Sequence, residues 1–395
     1  MKHRMQKILM LTIGLFTSIN VLAHDFKVDG IYYDIIDLEN LTCGVTNGLY
    51  TGDIIIPETV TYRNRQFTVI SLLEGAFAHD TIQSLTIPNT ITKIQRKAFE
   101  DGDIALQKNC TIYKIIIADG ENILDIELNA FEKMKTAELY CGRNLTETYA
   151  QLFPPRFIKK VTLGGSVTTI GDYAFNECWS IDTITISNST TIIGNSAFSH
   201  CSNLRSIEIP NSVTTIGKAA FQYTSIPSVT IGESITTIED YTFRGCDDLK
   251  SLTIGSATTK IGDDAFYKCD ALNVINSLNP IPPTLSSPFE NKVYIDATLN
   301  VPIGAGEAYK SADGWKNFWN IQEVDFASVG NIETNKTKVF GDSGKIIVTG
   351  VDNTKVEIFN TSGQLIYSGS DTTINVPTKG IYIVRVGGKT FKVSI

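Results

Sequence analysis

The chain has 395 residues, 42% of them hydrophobic and 19% charged, with a net charge of −8. That apolar share suffices for a buried core and excludes global disorder. The acidic balance argues against a general nucleic-acid or anionic-membrane binder, which needs a basic face to displace phosphate counterions.

Lys2, Arg4 and Lys7 make a basic start, and Ile8 to Leu22 then carries no charge. This run is shorter than the roughly 20 apolar residues that span a bilayer. With Val21-Leu22-Ala23 at its end, the segment 1–23 reads as a secretory signal peptide cleaved after Ala23. Cleavage removes three positive charges and no negative ones, taking the net charge from −8 to −11. No later stretch is long and apolar enough to act as a transmembrane anchor.

The middle of the chain repeats. SVTTIGDYAFNEC, STTIIGNSAFSHC and SITTIEDYTFRGC end at Cys178, Cys201 and Cys246. A phenylalanine recurs at Phe77, Phe99, Phe131, Phe175, Phe198, Phe221, Phe243 and Phe266, mostly in steps of 22 or 23. The step of 44 from Phe131 to Phe175 holds a degraded unit with Phe153 in the expected slot. The step of 32 before it is a unit plus an insertion around Glu100 to Asn109. Each unit opens with an apolar run such as Leu204, Ile207 and Ile209, which reads as a short strand buried on one face. A second run, Val213, Ile216, Ala220 and Phe221, reads as a bend leading into one helical turn. Glycine often follows the second Ile, but Gln95 and Glu239 also take that slot, so positive φ is not obligatory there. One unit cannot bury its own apolar side, whereas stacked units share a core, with strands pairing in parallel about 4.8 Å apart. The expected fold is a β-rich leucine-rich-repeat solenoid of short parallel strands and helical turns, with about nine rungs over residues 60–277.

The unit LxxIxIPxxVTTIGxxAFxxC resembles the repeat of the BspA-like leucine-rich-repeat family of bacterial surface proteins. FKVDGIYYDII followed by GDIIIPETV resembles the N-terminal cap of such proteins, giving a cap over 24–59. VYIDATLNVPIGAGEAYKSADGWKNFWNIQEV resembles their closing element, giving a C-terminal cap over 278–326. The resemblance implies a secreted or surface-displayed protein that adheres to a host or neighbouring-cell surface protein.

Residues 327–395 differ. A polar linker, Asn331 to Lys338, precedes the short alternating runs KIIVTG, KVEIFN, QLIYSG, TINVP, IYIVRV and TFKVSI. Turn signals at Thr361-Ser362-Gly363 and Gly387-Gly388 separate them, so a small antiparallel Ig-like β-sandwich is expected. EIFNTSGQLIYSG and GIYIVRV resemble the type A sorting domain of the type IX (Por) secretion system. That resemblance implies an address read by export machinery.

Catalytic constellations are missing from the sequence. His3 leaves with the signal, His24 sits at the new terminus, and His79 and His200 follow Ala-Phe turns as surface residues. There is no HExxH, P-loop, GxSxG or CxxC. No catalytic residue, metal ligand or cofactor site is therefore assigned. Cys178, Cys201, Cys246 and Cys269 each follow the repeat phenylalanine by three residues. Their Cβ atoms should stack at the rung spacing, wider than the roughly 3.8 Å a disulfide favours, so buried unpaired thiols are expected.

The outward row of the strands is mostly Ser and Thr. The exceptions cluster at Lys114, Ile116, Glu138, Tyr140 and Lys160, a candidate partner-binding patch of exposed apolar residues among charges. The sequence thus points to a non-enzymatic, secreted or outer-surface binding protein. A self-associating surface or matrix component and a periplasmic binding module are the competing readings.

Overall fold

The computed structural model describes residues 24–78, 80–100, 110–127, 130–131, 134–144, 157–326, 338–342, 345–349, 355–360, 363–377, 380–386 and 389–394. The signal segment, His79, most of the insertion after Glu100, Phe153 and the linker over 331–337 lie outside these residues. The chain divides into two compact units, 1–322 and 323–395.

The first unit is a solenoid of about eleven turns. Most turns contribute a short strand to a parallel sheet on one side and a two-residue strand to a second side. In the first sheet Thr51–Ile55, Thr81–Ile87, Thr111–Ile117, Glu138–Cys141, Lys160–Leu163 and Thr183–Thr185 lie side by side. A separate sheet resumes with Ser228–Thr230 and runs through Ser251–Ile254, Val274–Ser277, Thr298–Pro302 and Asn320–Val324. From Thr81–Ile87 onward the first-sheet strands pair without a shift: Val161 pairs with Ile184 and Leu252 with Ile275, so identical positions point the same way; a bulge at Gly52 shifts the register only where Thr51–Ile55 joins. In most of these strands alternate residues face inward, and those are mainly the buried Ile, Leu and Val, with Cys141 and Ser277 in the same row.

A column of aromatic rings runs through the core. Phe77, Phe99 and Phe131 stack at 5.5 and 5.0 Å between centroids. Phe175, Phe198, Phe221, Phe243, Phe266 and Phe289 continue at 5.3 to 5.5 Å, with ring planes within 15° of parallel. These are offset stacks, each worth about 0.5–1.5 kcal/mol beyond burial itself.

The array is longer than the nine expected rungs because the column extends past the consensus at both ends. Tyr50 sits 5.2 Å from Phe77, and Phe289 caps Phe266. Each end then closes with aromatics whose polar atoms are bonded. Tyr50 donates its hydroxyl to the Thr46 carbonyl at 2.8 Å, and Trp315 donates its indole N–H to Pro283 at 2.7 Å. Phe318 and Tyr294 meet Phe289 edge-on, which ends the face-to-face stack. At the N-terminal end Phe26–Val28, Ile31–Asp37 and Thr42–Val45 form a meander that pairs with Arg65–Leu72 and covers the second sheet.

The Ala-Phe segment is realised as consecutive turns rather than a helical turn. Around Phe175 the amides of residues 174, 176 and 178 bond three residues back, while those of 173, 175 and 177 bond forward to Asn195, Ala197 and Ser199 of the next turn. Reaching both sets needs left-handed backbone two residues either side of the phenylalanine. Tyr173, Glu177, Ser196, His200, Ala219, Tyr223, Tyr241 and Lys268 all adopt it, with φ between 50° and 61°. Such conformations cost L residues free energy, which the inter-turn bonds and ring burial offset. The glycines after the second Ile serve another purpose: a Cβ on Gly194 would lie 2.6 Å from the Asp172 amide nitrogen.

Among the described residues helix is sparse: Asn291–Asp296 and Gly306–Ser311, with a 3-10 turn at Trp315–Asn317. Among the described residues no helix is long and apolar enough to cross a membrane.

The second unit holds two antiparallel sheets. Lys338–Asp342, Lys345–Thr349 and Thr373–Asn375 form one, and Leu365–Gly369, Val356–Asn360, Ile381–Val386 and Lys389–Ser394 the other. Ile346, Val348, Val356, Ile358, Ile374, Tyr382, Val384, Val386 and Val393 form its core. The arrangement is sandwich-like, with one strand, Lys338–Asp342, beyond the six runs read from the sequence.

If left-handed strain is as described, replacing Ala219 (φ 55°) by glycine should leave stability unchanged or raise it by up to about 1 kcal/mol. An Ala-to-Gly change in regular structure loses about that amount. Urea unfolding of Ala219→Gly decides; a loss of about 1 kcal/mol contradicts the account.

Candidate functional site

Parallel register fixes the outer face of the first sheet. Lys114, Glu138 and Lys160 lie side by side on three successive strands, and Ile116 is next to Tyr140 one step along. The structure therefore brings all five predicted patch residues together. Lys114, Glu138 and Lys160 are exposed; Ile116 and Tyr140 are half-buried. The Tyr140 hydroxyl donates to Asp119 Oδ2 at 2.6 Å. Burial, with that hydrogen bond, raises its phenol pKa. Gly142 and Gly164 leave room for this pair: a Cβ on Gly142 would lie 2.6 Å from the Asp119 Cα, and one on Gly164 would strike the Tyr140 hydroxyl. Tyr140 thus anchors the loop after the neighbouring strand while staying half-buried on the outer face.

Two residues just beyond it carry no repeat signal. Arg143 is buried, at 1% exposure. Its Nη1 donates to the Ile91 carbonyl at 2.6 Å and its Nη2 to Pro88 at 3.2 Å, so backbone oxygens two turns away solvate the charge. Asn144 accepts the amides of Thr168 and Thr169 at 2.8 and 3.0 Å. Both are structural members of the irregular turn, and their segment CGRN matches no consensus that would mark them.

The Ala-Phe edge holds a second cluster that the sequence reading passed over. The Arg244 guanidinium carbon lies 5.4 Å from the Tyr241 ring centroid and 4.9 Å from that of Tyr267. Its Nη1 pairs with Asp264 Oδ2 at 2.8 Å, which fixes the side chain between the rings. Lys268 approaches the same Tyr267 ring at 5.9 Å. One turn back, Tyr223 packs over Gly245, where any side chain would collide with the ring, and His200 lies 4.7 Å from Tyr223. Tyr241 keeps 39% of its surface exposed. Tyr and Arg, held rigid and partly desolvated, are the residue types that anchor protein interfaces. The phenylalanine alignment holds only a partial signal for it: His200, Tyr223, Tyr241, Arg244, Tyr267 and Lys268 lie within two residues of the repeat phenylalanine, but Ser, Ala, Gln, Gly and Asp fill the other equivalent slots. Among the described residues no group of three or more His, Cys, Asp or Glu is placed to hold a metal ion.

The family described as BspA type Leucine rich repeat region matches in six copies over residues 71–201 and 168–296. Among solved structures, a leucine-rich repeat protein from Bacteroides ovatus is 22% identical, over 76% of this chain and 88% of that one, with a TM-score of 0.36. A leucine rich cell surface protein from Faecalibacterium prausnitzii is 18% identical over 79% and 98%, with a TM-score of 0.34. The pneumococcal vaccine antigen PcpA is 15% identical over 76% and 98%, with a TM-score of 0.29. No curated protein matches the chain.

All seven cysteines are buried, and none forms a disulfide. The column works by hydrogen bonding as well as filling: Cys201, Cys246 and Cys269 each donate Sγ–H to the carbonyl of a phenylalanine, Phe175, Phe221 and Phe243, at 3.2 Å. Thr224 takes the slot one turn before Cys246 and donates to Phe221 at 2.9 Å. Burial pushes the Cys178 and Cys43 thiols up to about 12 from 9.0, and Cys141 to about 11. A thiol pKa raised by folding contributes stability below pH 9 that is lost as pH climbs toward those values. A thiol-titrating disulfide reagent at pH 8 should therefore find almost none reacting in the native chain and all seven in denaturant. Urea stability should fall between pH 9 and 12. Rapid native reaction of two or more thiols contradicts the packing.

Proposed function

The chain belongs to the BspA-type leucine-rich-repeat family, and from that premise we propose that it is a secreted or outer-surface bacterial protein that acts by binding, without catalysis. Its partner is a surface protein of a host or neighbouring cell. Residues 1–23 act as a cleaved export signal, and the C-terminal unit acts as a type IX sorting address. The first proposal rests on the basic start and uncharged run, the second on the resemblance of EIFNTSGQLIYSG and GIYIVRV.

The observation that carries the binding reading is the Tyr241–Arg244–Tyr267 stack. A guanidinium clamped between two rings and an acid has already lost its rotamer freedom, so a partner that meets it pays little ordering entropy. The patch of Lys114, Ile116, Glu138, Tyr140 and Lys160 offers a second contact on the sheet face. Its charges alternate across adjacent strands, which suits register-specific pairing more than bulk attraction.

The test uses the labelled chain from His24 onward on cultured host cells and on neighbouring bacteria. Saturable binding is expected. Tyr241→Ala with Arg244→Ala, or Lys114→Glu with Lys160→Glu, should weaken it about tenfold or more while leaving thermal unfolding unchanged. Absence of binding to both cell types contradicts the reading, as does recovery of the chain inside producing cells with its leader intact.

A further inference from the structure

From the turn of Phe175 onward, the contacts of the second sheet repeat with little change until the junction between the turn of Phe221 and the turn of Phe243. In the second sheet Thr169–Ile170, Ile192–Ile193 and Thr215–Ile216 form one set, and Thr237–Ile238, Lys260–Ile261 and Thr284–Leu285 another, with no pairing between Thr215–Ile216 and Thr237–Ile238. Elsewhere the ladder bonds are short: Gly194 to Ile170, Gly217 to Ile193 and Gly262 to Ile238, all at 2.8 Å. The equivalent bond, from Glu239 to Ile216, is not formed. The threonine hydroxyl ladder behaves the same way. Thr191 donates to Thr168, Thr214 to Thr191 and Thr259 to Thr236, and the ladder skips Thr236 to Thr214. The first sheet also stops and restarts here, between the isolated bridge of Ser206 and the strand Ser228–Thr230.

Two sequence features coincide with the break. Lys159, Asp182, Lys250 and Asn273, at the strand entrance, each donate an amide to the preceding turn. The corresponding residue of the Phe243 turn is Pro227, which has no N–H to give. The step from Phe221 to Phe243 is also 22 residues, between neighbours of 23. Glu239 fills the glycine slot, but Gln95 does so too and keeps its bond to Leu72 at 2.9 Å, so the side chain alone does not open the ladder.

The Ala-Phe edge, in contrast, is continuous. Ala219, Phe221 and Tyr223 donate across the junction to Asp240, Thr242 and Arg244 at 2.8 to 3.0 Å. Phe221 and Phe243 stack at 5.3 Å with their planes 9° apart. Away from that edge the described bond is a side-chain latch, Ser234 to the Asn211 carbonyl at 2.9 Å, and beside the edge Lys218 pairs with Asp240 at 2.8 Å. The Lys218 side chain is 59% exposed, and exposed ion pairs hold weakly and yield to salt.

We propose that this junction is a hinge: the array flexes between the Phe221 and Phe243 turns, pivoting on the ring column and Ala-Phe edge and parting along both sheets. Thr215–Ile216 then behaves as a free edge strand although its own bonds to the preceding turn are formed.

Hydrogen exchange of the chain from His24 to Ile395, resolved by overlapping peptides, tests this. Thr214 and Gly217 are bonded as tightly as Thr191 and Gly194, at 2.8 to 2.9 Å. They should nevertheless exchange at least about tenfold faster, and faster still in high salt. Pro227→Ser with one residue inserted after Thr224 restores the donor and the 23-residue step, and should bring the two pairs level. Equal exchange of the two pairs in the unaltered chain overturns the hinge, whether or not the repaired variant folds.

Discussion

A turn of 22 or 23 residues can bury its apolar side chains only against the turn before and the turn after. That single constraint, exact superposition of successive turns, organises the solenoid. It requires the same residue type at the same phase, and so produces columns. The phenylalanine column stacks through the core, the cysteine column fills the space beside a phenylalanine carbonyl of the preceding turn, and the Ile and Leu columns line the sheet interiors. Parallel in-register pairing follows, because any slip would turn the buried row of each strand to solvent.

Columns must also end. An exposed phenylalanine face at either terminus would leave a large apolar patch. The chain meets this with aromatics that carry a polar atom and a partner for it, Tyr50 at one end and Trp315 and Tyr309 at the other. Tyr309 donates to the Asn279 carbonyl at 2.8 Å and also meets Ser277. The edge-on rings of Tyr294 and Phe318 turn the stacking direction, so the column closes without presenting another flat face.

What could be read from the sequence follows from the same logic. Phe77 to Phe266 are visible because the phase is shared. Tyr50 and Phe289 are not: Phe289 keeps the 23-residue step but lies in a turn without the Ile-Gly and Cys signals, and Tyr50, 27 residues before Phe77, has neither the phase nor those signals. The left-handed positions were hidden because residues as unlike as Tyr, Ala, Glu, His, Ser and Lys occupy them, so no shared turn signal marks the slot; the hydrogen bonds to the next turn dictate that backbone. On the candidate surfaces, period-two alternation placed Lys114, Glu138 and Lys160 together. It could not show that the Tyr140 hydroxyl is already committed to Asp119. The Arg244 cluster was missed because its members lie in the turn, where alternation carries no information. Arg143 has no sequence signature: a buried arginine served by backbone carbonyls depends on where a loop two turns away falls.

The claim most open to direct measurement is that the ring column, rather than the sheets alone, holds the turns together. Phe198 is fully buried, with neighbouring rings at 5.5 and 5.4 Å. Equilibrium urea unfolding of Phe198→Ala should show a loss of about 3–5 kcal/mol, the cost of a large cavity that the stacked backbone cannot collapse to fill. A loss below about 1 kcal/mol, with the fold intact, would contradict the account.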